Sequence, residues 1–525
     1  MYRYCSHLFI QQRQTHSLSR PSSIKKTLAD LSDVLEKGRI QCGIPGMSVA
    51  ILHKGKLIFA EGFGKRNEQE PFTSETLAPI GSLTKAFTAT AIGELIAEGK
   101  MDWDTTSVNK YLPEFELKDP VLTSQLTLVD LLSHRTGLPR NVGYSWYRTT
   151  ESRRDLIKRL KHVEMTSKLG SKTQYNNIMY AVAGEAAANV AGIPYEKLVE
   201  TKILEPLGLT NTGFSPMEMK KRSPNHAMPF SAESLRDARK GLYVMDSLDE
   251  VYMACAPAGD MYSNALDLVR WGKIVMSSGK IDGDQVLNKE ALRETLTAHT
   301  ITASLRGSSD FGRVVAYGMG WALDSFKGQT YYTHDGAISG FQARLDIFPD
   351  ADLVVAQLFN ISVADWSHGV ACYIADEVLD LPKTRDWIFD FAIKSTEMAY
   401  NEREAGLKGN LPKRIPSKQA AQDLHAYEGE YTNPILGDAS VRVDVDKKTG
   451  KETLICKISA FDSKMEHYHF DAFVVRLKDA LAAMAGLVTF RTGGHGKVEG
   501  LHFFNEEFKR KDNSNAGPYE AKEKQ

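Results

Sequence analysis

Near Leu424 the apolar residues of this chain change period, and no single core accommodates both regimes. Before that point, helical stretches alternate with short apolar strands. After it, Tyr427 to Tyr431, Val441 to Val445, Leu454 to Ile458, Phe473 to Leu477, Val488 to Thr492 and Leu501 to Phe504 alternate with period two between Gly and Asn turns. Side chains on a strand point to opposite faces in turn, so this pattern predicts a small C-terminal β-barrel or half-barrel. Lys408 to Ser417, with Pro412 and Pro416 among basic residues, reads as the linker. A chain of 525 residues is also too long for one core. The organisation is therefore a leader over residues 1–28, a main domain over 29–382, a helix and linker over 383–422, a β-rich domain over 423–508 and a charged, disordered tail over 509–525.

The main domain reads as α/β in the α+β sense, a central antiparallel sheet flanked by helices. Its sheet is visible from both ends, as Met47 to Phe63 and as Thr330 to Leu358, with a mostly helical insertion between Met101 and Asp310. Asp386 to Gly406 looks helical, with Trp387, Ile388, Phe391 and Ala392 apolar.

Three short segments of the main domain carry chemistry. Ser82-Leu83-Thr84-Lys85 follows Gly81 and opens a helix predicted over Leu83 to Glu98. A serine there lies near unpaired N–H groups and the positive end of the helix dipole. Lys85 is one turn on along the same face, where its amine can reach the hydroxyl and ease formation of an alkoxide. The same four-residue spacing at Ser22, Ser23, Ser107 and Ser277 lacks this context. Tyr175-Asn176-Asn177 lies in a polar turn before an apolar helix. Beside the charge of Lys85, the Tyr175 phenol is expected to have a depressed pKa and to serve as a general base. Asn177 can position a substrate amide or hold Lys85, and both residues equally suit a simple helix cap. His334-Asp335-Gly336 precedes the strand Phe341 to Phe348, and Gly336 permits close approach of a ligand to the backbone.

Together these segments resemble the serine β-lactamase and penicillin-binding-protein superfamily, in its class C-like branch. Gly46 to Ala50 with Gly62-Phe63-Gly64, Leu131 to Leu138, Pro206 to Leu209, Ala256 to Gly259 and Tyr317 to Trp321 also match, over approximately residues 28 to 380. The resemblance implies Ser82 as the acylated nucleophile, Lys85 and Tyr175 as the pair that moves its proton, and Asn177, His334 and Gly336 as substrate-binding residues. It implies an oxyanion hole from the backbone N–H groups of Ser82 and Ala337. His334 stands where β-lactamases of this branch have Lys, and Asp335 where they have Thr. The His-x-Gly form is similar to the family's esterases, D-amino-acid-releasing peptidases and acyltransferases. Lys448-Thr449-Gly450 matches the β-lactamase motif literally, but lies between two alternating stretches and reads as a hairpin turn.

Composition narrows the partners. A formal net charge of -1 gives no electrostatic case for nucleic acid or anionic membrane. No apolar run approaches spanning length. Five scattered cysteines, none in a Cys-x-x-Cys pair, argue for reduced thiols and against structural zinc. His467-Tyr468-His469 lacks acidic or Cys ligands to complete a metal site, so neither metal nor cofactor is called for. Met1 to Ala29 holds Arg and Lys but no Asp or Glu, as in a transit segment or a plain disordered start. Cytoplasmic residence is expected, with mitochondrial import as the alternative. The expected partner is a small ester or amide, together with other copies of the chain paired through open β-edges of the C-terminal domain. The functional reading is a serine hydrolase. An acyltransferase of the same fold and a catalytically silent structural homologue are its alternatives.

Overall fold

The computed structural model describes residues 21–140, 149, 151–248, 254–304, 310–362, 366–458, 461–478, 483–503 and 505–511. A helix, α1 (Pro21–Gln41), leads into the first hairpin, β1 (Gly46–His53) and β2 (Lys56–Gly64). The boundary expected at residue 28 falls inside α1, so regular structure starts ahead of it. Two helices, α2 (Thr84–Ala97) and α3 (Asn177–Ala191), follow, the second at the heart of the insertion. Six more strands complete the sheet: β3 (Thr300–Ser304), β4 (Val314–Tyr317), β5 (Ala322–Phe326), β6 (Gln329–Ile338), β7 (Phe341–Phe348) and β8 (Leu353–Phe359). Their order is β3-β4-β5-β6-β7-β8-β1-β2, antiparallel throughout.

Both faces of this sheet are covered, so its central strands read as continuous apolar runs. Ala50 and Leu52 of β1 pack with Leu345, Phe87 and Trp271 on one face. Val49 and Ile51 pack with Leu31, Leu35 and Trp366 on the other. The two-residue period of the strand thus divides one apolar run between two cores. Helix α2 is buried on every side from Thr84 to Gly93, because it lies between the sheet and the insertion.

The C-terminal segment closes into an eight-stranded antiparallel barrel, from Gly429–Asn433 to Glu506–Arg510. Each of the six alternating stretches of the sequence overlaps a strand, although Tyr427 itself lies in a 3-10 turn ahead of the first. The other two are Phe461–His469 and Glu506–Arg510, the latter carrying the chain into the tail expected from residue 509. Residues 512–525 of that tail and most of the leader lie outside the described residues. Barrel closure removes the open edges through which copies of the chain were expected to pair. Among the described strands, the sheet of the main domain ends in two outer strands, β3 and β2. Buried Tyr427, Phe473 and Phe490 pack edge-on or tilted, with ring centroids 4.5–5.7 Å apart, in the barrel.

The barrel shares a core with the main domain. One cluster of buried side chains runs from Leu131, Leu160 and Tyr180 of the insertion to Tyr427, Val441 and Phe490. A helix after the sheet, Ile393–Lys408, lies along the barrel strands Ala472–Lys478 and Ala483–Thr492. The linker is also pinned: Arg414 donates to the Tyr468 carbonyl at 2.7 Å and Tyr468 to the Pro412 carbonyl at 2.6 Å. His467 and His469 serve structure here. His469 Nδ1 accepts from the Ile415 amide at 3.2 Å, and His467 Nε2 donates to the Phe470 carbonyl at 2.8 Å. Lys448-Thr449-Gly450 is the tip of a hairpin, where Asp446 accepts from the amides of Lys448 and Thr449 and Gly450 has φ +68°. The four described cysteines are buried and unpaired, and among the described residues no helix is long and apolar enough to cross a membrane.

Candidate active site

Ser82 occupies a single 3-10 turn, Gly81–Leu83, at the entrance to α2. Gly81 has φ +52°, and a side chain there would lie 2.8 Å from the Ala337 amide. A side chain at Gly336 would collide with the Ile80 carbonyl and come within 2.9 Å of the Ser82 amide. Glycine at both positions therefore lets strand β6 lie against the Ser82 turn, backbone to backbone. That contact brings the N–H groups of Ser82 and Ala337 together at the edge of the site.

Lys85 is fully buried, with its Nζ 3.0 Å from Ser82 Oγ and 2.7 Å from the Ala258 carbonyl. The turn Ala256–Gly259 that presents this carbonyl is clipped to α2 a second time, where Thr88 donates to the Pro257 carbonyl at 2.6 Å. Burial lowers the Lys85 pKa from 10.5 to about 7, the nearby Cys255 thiol opposing and Arg140 reinforcing the shift. The amine therefore exchanges its proton near neutrality, which a solvated lysine does not.

Tyr175 reaches Ser82 from the opposite side, its hydroxyl donating to Ser82 Oγ at 2.9 Å. The residue that caps α3 is neither Tyr175 nor Asn177 but Asn176. Its Oδ1 accepts from the amides of Ile178 and Met179, and its Nδ2 donates to the Pro139 carbonyl at 3.0 Å. The cap frees Tyr175 to turn toward the serine. Burial raises the phenol's pKa, with the Ser82 hydrogen bond opposing and the charge of Asp335 adding to it. The depression expected from Lys85 is absent, because a lysine poised near pH 7 is a weak positive neighbour and desolvation outweighs it. Tyr175 is thus protonated and donates to Ser82 in the resting site, while Lys85 is the member of the pair whose pKa lies near neutrality.

His334 is buried on β6 and turned inward. Its Nδ1 lies 2.6 Å from the Asp335 carbonyl, so that nitrogen carries the proton and Nε2 accepts from Tyr317 at 2.9 Å. Burial lowers its pKa to about 4, against the pull of Asp335, so the imidazole is neutral at physiological pH. Asn177, the first residue of α3, is exposed, and no hydrogen bond among the described residues ties it to Ser82 or Lys85. The holding role expected of it falls to the Ala258 carbonyl.

Sequence reasoning assigned no role to His134 or Tyr317, though both lie in segments that carried the resemblance. His134 is fully buried at φ +62°, a conformation few non-glycine residues adopt. Its ring packs 4.2 Å from that of Tyr175, 5.3 Å from Tyr180 and 4.9 Å from Tyr317. Its Nδ1 accepts from the Asn176 amide at 3.1 Å, so His134 fixes both the ring of Tyr175 and the backbone that follows it. Gly320, φ +85°, closes the loop after Tyr317 against the backbone of Lys85 and Ala86. Among the described residues no group of His, Cys, Asp and Glu is arranged to hold a metal ion.

Comparison with known proteins agrees with this architecture. The β-lactamase family profile matches residues 25–378, and a domain of unknown function, DUF3471, matches residues 413–516. The chain is 25% identical to an unguisins hydrolase of Aspergillus campestris over 80% of this chain and 78% of that protein. The octameric penicillin-binding protein homologue from Pyrococcus abyssi superposes with a TM-score of 0.57 at 23% identity, covering 91% of this chain and 99% of that one. EstCE1, a hydrolase with promiscuous acyltransferase activity, gives 0.55 at 20% identity over 68% of this chain and 98% of that one. With the family profile spanning most of the chain, and the antiparallel sheet and the Ser82 turn in place, this protein belongs to the β-lactamase family.

Proposed function

We propose that the protein is a serine hydrolase that acylates Ser82 with small ester or amide substrates and passes the acyl group to water. The observation that carries this reading is the pair of contacts on one oxygen: Lys85 Nζ at 3.0 Å and the Tyr175 hydroxyl at 2.9 Å from Ser82 Oγ. The pKa directions divide the labour between them. Neutral Lys85 takes the Ser82 proton as Oγ bonds to the substrate carbonyl carbon, while the Tyr175 hydroxyl stabilises the forming alkoxide. The tetrahedral oxyanion meets the N–H groups of Ser82 and Ala337. Collapse breaks the bond to the leaving atom, which takes a proton from Tyr175, and Lys85 returns one to the phenol. Water then repeats the sequence in reverse, with Lys85 and Tyr175 again sharing the proton as one unit.

Acyl transfer to a bound alcohol or amine uses the same residues and is the second reading, favoured by the likeness to a hydrolase with promiscuous acyltransferase activity. The exposed Asn177 and the Gly336 backbone are the substrate contacts, while His334 supports Tyr317 from behind. A neutral His334 leaves strand β6 without a fixed cation, and esters and amides are the substrates proposed. The resemblance to an octameric homologue supports assembly of several copies. A panel of p-nitrophenyl esters, D-aminoacyl anilides and nitrocefin tests the reading: turnover of esters or anilides that disappears in Ser82→Ala is expected. An intact site that turns over none of them contradicts it.

A further inference from the structure

Arg140 follows Pro139, the residue whose carbonyl holds Asn176, and reaches back over the catalytic tyrosine. Its guanidinium carbon lies 5.2 Å from the centroid of the Tyr175 ring, and the residue is exposed. The other cationic groups around the site are engaged elsewhere. Lys85 is bonded to Ser82 and Ala258, and Arg344 is clamped on Asp346 by three contacts of 2.8–3.0 Å. His334 has both nitrogens occupied. Among the described residues, Arg140 is therefore the cation of the site that faces solvent.

We propose that Arg140 is an anion anchor that selects substrates bearing a carboxylate on their leaving-group side. This rests on the acyl-enzyme reading above, in which Tyr175 protonates the departing atom. The leaving group then passes over the phenol, and Arg140 sits on that ring. Exposed Asp335 sits on the strand bordering the other side of the serine, where its negative charge is felt at Tyr175 and Lys85. An anion is repelled from that bank and drawn to the Arg140 bank. A guanidinium suits the task because its planar fork binds a carboxylate through two parallel N–H donors. In the reaction, Oγ of Ser82 bonds to the acyl carbon, the acyl C–O bond breaks, and the released alcohol keeps its carboxylate paired with Arg140.

The test uses the full chain and two esters with one acyl group, made from 3-hydroxybenzoate and from 3-hydroxybenzamide, each corrected for its hydroxide-catalysed rate. The wild-type protein is expected to favour the carboxylate ester by about tenfold in kcat/KM, the scale of one charge-assisted pair. That ratio is expected to fall to near one in Arg140→Gln, to lie between in Arg140→Lys, and to shrink with added salt. A wild-type ratio near one, or an unchanged ratio in Arg140→Gln, overturns the proposal while leaving the hydrolase reading intact. If neither ester turns over, protection of Ser82 from a fluorophosphonate decides the matter. Stronger protection by benzoate than by benzamide in wild type, lost in Arg140→Gln, supports the anchor, and equal protection overturns it. Absence of both turnover and labelling removes the hydrolase reading and the anchor together.

Discussion

Lys85 Nζ lies 3.0 Å from Ser82 Oγ in a position fully shielded from water, and the chemistry follows from that pairing. A buried amine is costly to charge, so Lys85 rests near the point where it loses its proton. With a pKa of about 7, kcat/KM for a neutral ester is expected to rise with pH through about 7 as the amine deprotonates. A profile without an ascending limb there would assign the base to another group.

Removing either member of the proton-sharing pair should be severe. Lys85→Ala and Tyr175→Phe are each expected to cut turnover by on the order of 10² or more, the usual scale for a general base or a key donor. The double variant should lose far less than the product of the two, because both act on one oxygen. Multiplicative losses in steady-state rates would show that they act independently.

His334 should register in stability rather than in catalysis. Its pKa falls from 6.5 in the unfolded chain to about 4 in the folded one, so on acidification the unfolded chain takes up the proton first. Stability should then decline between about pH 6.5 and pH 4 and lose nothing to this group above that window. Urea unfolding of His334→Gln should show a shallower decline, and equal slopes would mean that the imidazole is not held neutral.

Much of this arrangement was legible in the sequence, for identifiable reasons. Ser82, Lys85, Tyr175 and Gly336 lie in short segments whose spacing is set by local geometry, a helical turn or a strand edge. Two things were not legible. The pKa of Tyr175 depends on burial among residues far along the chain, such as His334, so an argument from Lys85 alone gave the wrong sign. The strand Phe461–His469 was hidden because Ser463 faces inward, replacing an apolar residue in the alternation with a polar one. The shared core was missed as well, since periodicity shows which residues are buried but not against what.

That shared core bears on what happens when the barrel is removed. A chain ending near Leu411 would bare Leu131, Leu160 and their neighbours, which now lie in one cluster with Tyr427 and Phe490. Such a truncation is expected to lower the thermal midpoint by several degrees and to promote association, because exposing a few side chains of this size costs several kcal/mol. An unchanged midpoint by circular dichroism would show that the catalytic domain folds without its partner.

The central claim is that Ser82 is a nucleophile activated by a lysine that is neutral near pH 7. Its most direct test is the rate of covalent labelling by a fluorophosphonate, followed by intact mass and peptide mapping across pH. A single adduct on Ser82 is expected, forming faster as pH rises through about 7 and absent in Ser82→Ala. A folded wild-type protein that takes up no label at Ser82 would contradict it.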